Sequence, residues 1–236
     1  MPAERHRVRR PELLITCEHG GNRIPARYRR AFAGGARALA SHEGYDPGAL
    51  ELARDFARRL GAPLFYSDTS RLLVELNRSL PHARIFSRYA RRLAPEERRE
   101  VLQRYYLPYR ASVEARVASA IRRGRGVVHL SCHSFTPRLA GRVRTTDVGL
   151  LFDPQRAAEA ALCRRWQLAL AKYDRSLRVK RNYPYRGCAD GFTTYLRASF
   201  GPVYLGIELE VNQRFPREGG ERWKRLRRAL IETFPR

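Results

Sequence analysis

Residues 13–21 read LLITCEHGG, an apolar run that ends in a histidine and two glycines. Residues 127–134 read VVHLSCHS and form a second apolar run with a histidine near its end. Short apolar runs bounded by turn residues are typical of buried strands, and α/β proteins bind ligands at the carboxyl ends of such strands. The two stretches therefore predict that His19 and His133 face a cleft at one edge of a sheet.

The rest of the chain alternates short apolar runs with amphipathic stretches, a pattern typical of a mainly parallel sheet covered by helices. Strands are predicted at 13–17, 63–66, 72–76, 127–132, 148–152 and 203–211. Helices are predicted at 47–60, 95–123 with a break or kink at Pro108, 154–173 and 218–234. The predicted fold class is α/β, with three layers (αβα) around a mixed, mostly parallel sheet.

The length of 236 residues fits one domain around a single core, and we expect one domain over residues 1–236 with 1–11 as a loose N-terminal extension. No apolar run approaches the roughly 20 residues that cross a bilayer, and the first ten residues are not a secretory signal. The four cysteines form no C-x-x-C pair, which favours reduced thiols. A cytoplasmic protein without a membrane partner is expected, and the oligomeric state stays open.

The net charge of +24 raises the question of a nucleic-acid partner. Only three of the 47 basic residues are lysine, so 47 minus 3 leaves 44 arginines, and these flank nearly every predicted element. This distribution indicates an arginine-for-lysine bias rather than one basic face, and no nucleic-acid recognition motif is present. No specific nucleic acid is expected. A basic nucleic-acid-binding protein, or a ligand-binding protein without catalysis, is the alternative.

The stretch 70–79, SRLLVELNRS, predicts a strand that delivers Asn77 and Arg78 to its carboxyl end. A guanidinium fork beside an amide is suited to binding a substrate carboxylate. The alternative is that Arg78 forms a structural ion pair in this arginine-rich chain.

The stretch 204–213, YLGIELEVNQ, places Glu208 and Glu210 two residues apart. In a strand both face the same way, and the apolar residues between them face the other. A carboxylate in an apolar strand is costly unless it is paired, metal-bound or catalytic. Either glutamate could be a general base, and the alternative is two exposed glutamates on an edge strand.

Four short motifs occur together in this chain: HGGN (19–22), ELNR (75–78), CHSF (132–135) and GIELE (206–210). In this order they resemble the N-formylglutamate amidohydrolase family, whose fold is similar to that of the zinc-dependent exopeptidases and aspartoacylases. The resemblance extends over residues 13–213 and takes in 44–49, 147–149 and 182–187. It implies a single catalytic domain with a zinc-exopeptidase-like fold.

The resemblance also implies a zinc site, in which His19 and His133 match the two imidazole ligands. Zinc exopeptidases carry a glutamate three residues after the first histidine, whereas this chain has Asn22, and a neutral amide is a poor zinc ligand. The carboxylate ligand must then come from elsewhere. Asp46 in the family-like segment 44–49 is the predicted ligand, with Glu43 and His42 as competitors.

On the substrate side, Asn77 and Arg78 match the Asp-Leu-Asn-Arg element with which aspartoacylases bind the amino-acid carboxylate. Weaker substrate-binding candidates are Arg71, Tyr185 and Arg186. Glu210 is similar in position to a late-strand glutamate of histidine-degradation members, and Glu208 fits a more distant branch. Both therefore stay candidates for the catalytic base.

The implied reaction is hydrolysis of the N-formyl or N-acyl amide of an acidic amino acid such as N-formylglutamate, so the expected partner is a small N-acyl amino acid. Zinc would polarise the formyl carbonyl and lower the pKa of water to about 7, and a glutamate would accept the water proton. A metal-free hydrolase using Ser131, Ser134 or Cys132 is disfavoured, because no Gly-x-Ser-x-Gly turn is present.

Overall fold

The computed structural model of the chain describes residues 10–80 and 82–235, so residues 1–9 of the extension predicted at 1–11 lie outside the described part. The strands are β1 (Glu12–Cys17), β2 (Leu64–Tyr66), β3 (Val127–Phe135), β4 (Arg138–Leu139), β5 (Arg142–Val143), β6 (Val148–Leu151), β7 (Val179–Arg181) and β8 (Tyr204–Asn212). Six of them form one sheet in the order β2-β1-β3-β8-β6-β7. The pairs β1–β2, β1–β3, β3–β8 and β6–β7 are parallel, and β6–β8 is antiparallel. The predicted mixed, mostly parallel sheet is confirmed.

The helices are α1 (Ala36–Leu39), α2 (Ala49–Leu60), α3 (Pro95–Val101), α4 (Leu107–Arg122), α5 (Ala157–Tyr173), α6 (Phe192–Phe200), α7 (Arg214–Glu218) and α8 (Gly220–Glu232). On one face of the sheet, apolar side chains of α2, α5 and α8 pack on strand residues such as Ile15 and Leu209. On the other face, α4 and α6 cover Leu14 and Tyr204. These two buried faces give the three predicted layers. No helix in the described ranges is long and apolar enough to cross a membrane.

The strand predicted at 72–76 is wrong, because this segment forms turns. Leu73 and Leu76 are buried in a separate apolar cluster beside the sheet, formed by residues between 24 and 106. The backbone hydrogen bonds of the segment are local or loop-to-loop, as from Leu73 to Ser70 and from Glu75 to Ile85. An apolar run signals burial, and here burial is satisfied by a cluster rather than by a strand.

The long helix predicted at 95–123 continues through Pro108 by way of a π-helical turn at Leu102–Tyr106, between α3 and α4. The Leu107 N–H donates to the carbonyl of Leu102, five residues earlier. Proline removes one hydrogen bond of the helix and crowds the preceding turn, and the wider π turn accommodates both effects. The other predicted elements are present, with ends shifted by one to three residues.

Strand β3 is three residues longer than predicted, so His133 lies within the strand rather than after it. The extension follows from β8, which pairs with β3 along its whole length up to Phe135 and Asn212. This pairing sets His133 directly beside Glu210. The prediction that His133 follows a strand end is therefore corrected, and its neighbour on β8 is defined.

Gly149 of β6 lies where the segment after β7 packs on the sheet. A Cβ atom at this position would lie 1.9 Å from the carbonyl oxygen of Tyr183 and 3.2 Å from the Cβ of Glu210. Because one neighbour is backbone, the loop must move to admit a methyl group. We expect Gly149→Ala to lower the free energy of unfolding by about 1–3 kcal/mol, the usual range for overpacking. Urea unfolding measures this change, and an unaltered midpoint would contradict it.

Candidate active site

The candidate site lies at the carboxyl ends of β1 and β3. His19 is the second residue after Cys17, the last residue of β1, and its carbonyl accepts a hydrogen bond from the Asp46 N–H at 2.9 Å. The next two residues must be glycine, since a Cβ on Gly21 would lie 2.4 Å from the carbonyl oxygen of Asp68 and one on Gly20 2.8 Å from that of Ser67. The glycines thus let the chain pass close to the segment after β2 and fix the position of His19.

Three ligand-type side chains meet here, and all are buried. Asp46 Oδ2 lies 3.3 Å from His19 Nδ1 and 2.9 Å from His133 Nδ1. The potential ligand atoms all lie within 4.8 Å of one another. In the part of the chain that the structure describes, this is the one group of three or more such residues that could hold a metal ion.

The outer nitrogen of each imidazole contacts a carboxylate. His19 Nε2 contacts Glu75 Oε1. His133 Nε2 lies 2.9 Å from Ser131 Oγ and 3.3 Å from Glu18 Oε2. Metal-binding histidines usually bond their second nitrogen to a carboxylate, a carbonyl or water, which fixes the ring orientation. Both rings here are held so that Nδ1 faces Asp46.

Glu18 is a buried carboxylate that sequence reasoning missed as a site residue. It accepts hydrogen bonds from the hydroxyls of Ser131 (2.7 Å) and Tyr109 (2.9 Å). Burial raises its pKa, but the hydrogen bond and charge of His133 and the Ser131 hydroxyl outweigh this, so the pKa of Glu18 lies below its ordinary value. The sequence does carry a sign of this role, because Glu18 is an acidic residue that directly follows an apolar strand and precedes His19.

Asp46 lies between the imidazoles and the guanidinium of Arg71, whose Nη1 is 3.3 Å from Asp46 Oδ1. Burial raises the pKa of Asp46, but the charge and hydrogen bond of His19, the hydrogen bond of His133 and the charge of Arg71 hold it well below its usual value. The competing ligand Glu43 is exposed, and neither it nor the half-buried His42 belongs to the ligand group.

Asn22 is also outside the group, because its side chain donates to the carbonyl of Leu39 at 3.1 Å. The residue three positions after His19 therefore supports the neighbouring loop. The outer nitrogen of His19, Nε2, instead contacts the carboxylate of Glu75, which lies 56 positions away in the sequence.

Arg71 lies within the site and connects two of its carboxylates. Its Nη2 and Nε lie 2.6 and 2.8 Å from Glu75 Oε2, in addition to the contact with Asp46. Its side chain is 29% exposed, so one side of the guanidinium group faces solvent. Arg71 thus fixes the carboxylates beside both ends of the His19 ring.

Asn77 and Arg78 hold the loop that leads into α6. Asn77 Oδ1 accepts the Phe192 N–H at 2.7 Å, and the Arg78 guanidinium donates to the carbonyl of Asp190. A Cβ on Gly191 of this loop would lie 3.4 Å from Asn77 Oδ1 and 3.2 Å from Glu208 Oε1, so Asn77 lies near Glu208. These contacts arise from turns rather than from the predicted strand.

Tyr185 and Arg186 are both exposed. The Tyr185 hydroxyl lies 3.4 Å from Arg144 Nη1, and the Arg144 guanidinium also lies over the Tyr185 ring, 5.4 Å from its centroid. The structure records no contact between Arg186 and the ligand group. Arg144 is a neighbour of Tyr185 that sequence reasoning missed.

Glu208 and Glu210 point to the same face of β8, as predicted, while Ile207, Leu209 and Val211 are buried in the core on the other face. The alternative of an edge strand is wrong, since β8 lies between β3 and β6. Glu208 Oε1 accepts a hydrogen bond from the Thr193 hydroxyl at 2.7 Å. The Glu208 carboxylate is therefore hydrogen-bonded to a residue of α6.

Glu210 has a different environment. Its Oε2 is buried and has no hydrogen-bond partner among the described residues. Burial, together with the negative charges of Asp46 and Glu208, raises its pKa to about 8, although the charge of His133 acts in the opposite direction. An unpartnered buried carboxylate beside a ligand group is typical of a residue that acts on a bound molecule.

The donor set fits a catalytic divalent cation. Two imidazole nitrogens and one carboxylate are the protein ligands of several catalytic zinc sites, and their outer partners are present. The unpartnered Glu210 oxygen beside them is the second observation that fits such a site.

Comparison with known proteins places the chain in a family. A sequence profile of N-formylglutamate amidohydrolase matches residues 11–215. A solved structure of a gene product from Agrobacterium tumefaciens is 30% identical with a TM-score of 0.78, and the match covers 94% of this chain and 90% of that one. The crystal structure of N-formylglutamate amidohydrolase from Ralstonia eutropha JMP134 is 22% identical with a TM-score of 0.68, covering 95% and 92%. No curated protein sequence matches.

The profile covers most of the chain, including both histidines, Asp46 and Glu210. The alternative of a binding protein without catalysis is therefore set aside, since the family match supports a hydrolase that acts on amide C–N bonds. The chain belongs to the N-formylglutamate amidohydrolase family.

Proposed function

We propose that the protein is a metal-dependent hydrolase that cleaves the N-formyl amide of an acidic amino acid, with N-formylglutamate as the first substrate to test. The observation that carries this proposal is the His19–Asp46–His133 group with the unpartnered Glu210 carboxylate beside it. Family membership supports the same reaction. The products would be formate and the free amino acid.

A divalent cation, zinc by the nature of the donors, would be held by His19 Nδ1, Asp46 and His133 Nδ1. When bound, it would polarise the amide carbonyl and make water a better nucleophile at neutral pH. Glu75 and Glu18 would keep the two imidazoles in the orientation that binding requires.

Glu210 would handle the proton that the reaction must move. Its Oε2 would accept a proton from the attacking water and deliver it to the leaving amine nitrogen as the C–N bond breaks. A pKa of about 8 suits a group that accepts and then returns a proton near neutral pH. Glu208, which is engaged by Thr193, would keep the α6 loop in place.

The substrate-side candidates keep their proposed roles. Asn77 uses Oδ1 for the backbone of Phe192, and its Nδ2 has no hydrogen bond to a described residue, so it is a donor for a substrate carboxylate. Arg78 lies beside it, and Arg71, Tyr185 and Arg186 are further candidates. Positioning of the carboxylate would align the formyl carbon with the attacking water.

The direct test combines metal analysis with an assay of formate release from N-formylglutamate. We expect the purified protein to contain about one divalent cation per chain, to lose activity on chelation and to regain it with zinc. N-acetylglutamate and N-formylglutamine serve as comparison substrates. Full activity in a metal-free preparation would rule out the metal-dependent mechanism.

Glu18→Gln tests the outer carboxylate of His133. The substitution keeps the size of the side chain but removes the charge that holds the imidazole, so zinc affinity should fall about 10- to 100-fold, the usual effect of outer partners. Competition with a chromophoric chelator measures the affinity. Glu221→Gln on the exposed side of α8 is the matched control, and equal affinities in the two variants would contradict the prediction.

A further inference from the structure

A cavity of about 280 Å³ opens beside the candidate active site. Arg71 and Glu75 form part of its wall, and these are the residues that hold Asp46 and the outer nitrogen of His19. Leu72 and Phe86 line it as well and supply apolar surface. The cavity therefore borders the site and shares two side chains with it.

Positive charge dominates this cavity. Arg84, Arg88 and Arg91 line it together with Arg71, so four guanidinium groups face two carboxylates, those of Glu43 and Glu75. Such an excess beside a catalytic site favours binding of an anionic group.

Three of these arginines form no salt bridge with a described residue, although the charge of Glu43 acts on Arg88. Arg88 Nη2 lies 2.9 Å from the Tyr89 hydroxyl, and Arg91 donates to the carbonyl of Ala83. The Arg84 guanidinium makes no hydrogen bond to a described residue. By contrast, Arg71 forms salt bridges with Asp46 and Glu75. Arg84 and Arg88 are thus the groups in this cavity that can donate hydrogen bonds to the carboxylate of a ligand.

We infer that this cavity binds the side-chain carboxylate of the substrate, with Arg84 and Arg88 as the specificity-determining residues. The inference rests on the proposed function, and it assigns the two carboxylates of an N-formyl acidic amino acid to two different binding places. The one on the α-carbon would bind near Asn77 Nδ2, and the one on the side chain would bind to the guanidinium groups. A guanidinium can donate two parallel hydrogen bonds to a carboxylate, whereas it pairs poorly with a neutral amide.

The double variant Arg84→Gln with Arg88→Gln tests the inference on two substrates of equal size. N-formylglutamate carries the side-chain charge, and N-formylglutamine lacks it. We expect kcat/KM for N-formylglutamate to fall about tenfold or more, mainly through KM, while the value for N-formylglutamine changes less than about twofold. Arg59→Gln, an exposed substitution on α2 outside the cavity, removes charge without this selectivity.

Calorimetric binding of L-glutamate and L-glutamine gives a second readout that does not need turnover. The double variant should lose affinity for glutamate and keep its weaker affinity for glutamine. Equal losses on both ligands, or no change on either, would overturn the inference. A wild-type protein that binds glutamate selectively through Arg84 and Arg88 but releases no formate would instead contradict the proposed function.

Discussion

Glu210→Gln is expected to lower kcat for N-formylglutamate by about 100- to 10,000-fold, the range for loss of a general base. Glutamine keeps the shape of the side chain but cannot accept the water proton. The carboxylate lies beside His133 on the neighbouring strand, and its buried Oε2 has no hydrogen-bond partner among the described residues, so it can take the water proton. Steady-state kinetics with a metal content equal to that of the wild type measures the effect.

Glu208→Gln is the matched comparison for this prediction. Because Glu208 bonds to Thr193, its substitution should cost less than about tenfold in kcat. A larger loss from Glu208→Gln than from Glu210→Gln would reverse the assignment of the base.

The same Glu210→Gln variant should show a pH-dependent stability difference in the metal-free protein. The pKa of Glu210 is raised from 4.5 to about 8, chiefly by burial, so the folded state holds a proton that the unfolded state releases. This contribution to stability is complete below about pH 4.5 and is lost as the pH rises through 8. The wild type should therefore lose stability relative to the variant across this window, by at most about 1.4 kcal/mol per pH unit. Urea unfolding at pH 5 and pH 8 tests the sign.

His133→Ala is expected to abolish metal binding and, with it, hydrolysis. The substitution removes one of three ligands, so the loss of zinc affinity should exceed the roughly 10- to 100-fold effect of an outer partner. It also removes the imidazole that lies between the buried carboxylates of Asp46 and Glu18 and contacts both. Metal analysis after dialysis and the formate assay measure the two effects.

His42→Ala is the control for this prediction, because His42 competes with Asp46 as a predicted ligand from the sequence but lies outside the ligand group in the structure. It should retain both metal and activity. Retention of zinc by His133→Ala, or its loss in His42→Ala, would contradict the proposed ligand set.

Much of the sheet was predictable from the sequence. Apolar runs of the right length identified β1, β3, β6 and β8. A strand that is buried on both faces of a sheet consists mostly of apolar residues, so its local composition predicts it. The failure at 72–76 has the same origin, because an apolar run signals burial without stating which structure buries it. Helix α6 was missed, although it supplies Thr193 and the loop contacted by Asn77.

The sequence by itself determined the family, the alternation that sets Glu208 and Glu210 on one face, and the two histidines, because each depends on residues close together in the chain. Only the tertiary structure decided that Asp46 meets both imidazoles and that Glu75 and Glu18 support them. It also distinguished Glu210 from Glu208. The physical reason is that these contacts join residues up to 115 positions apart, so strand order and loop packing, rather than local pattern, bring the groups together.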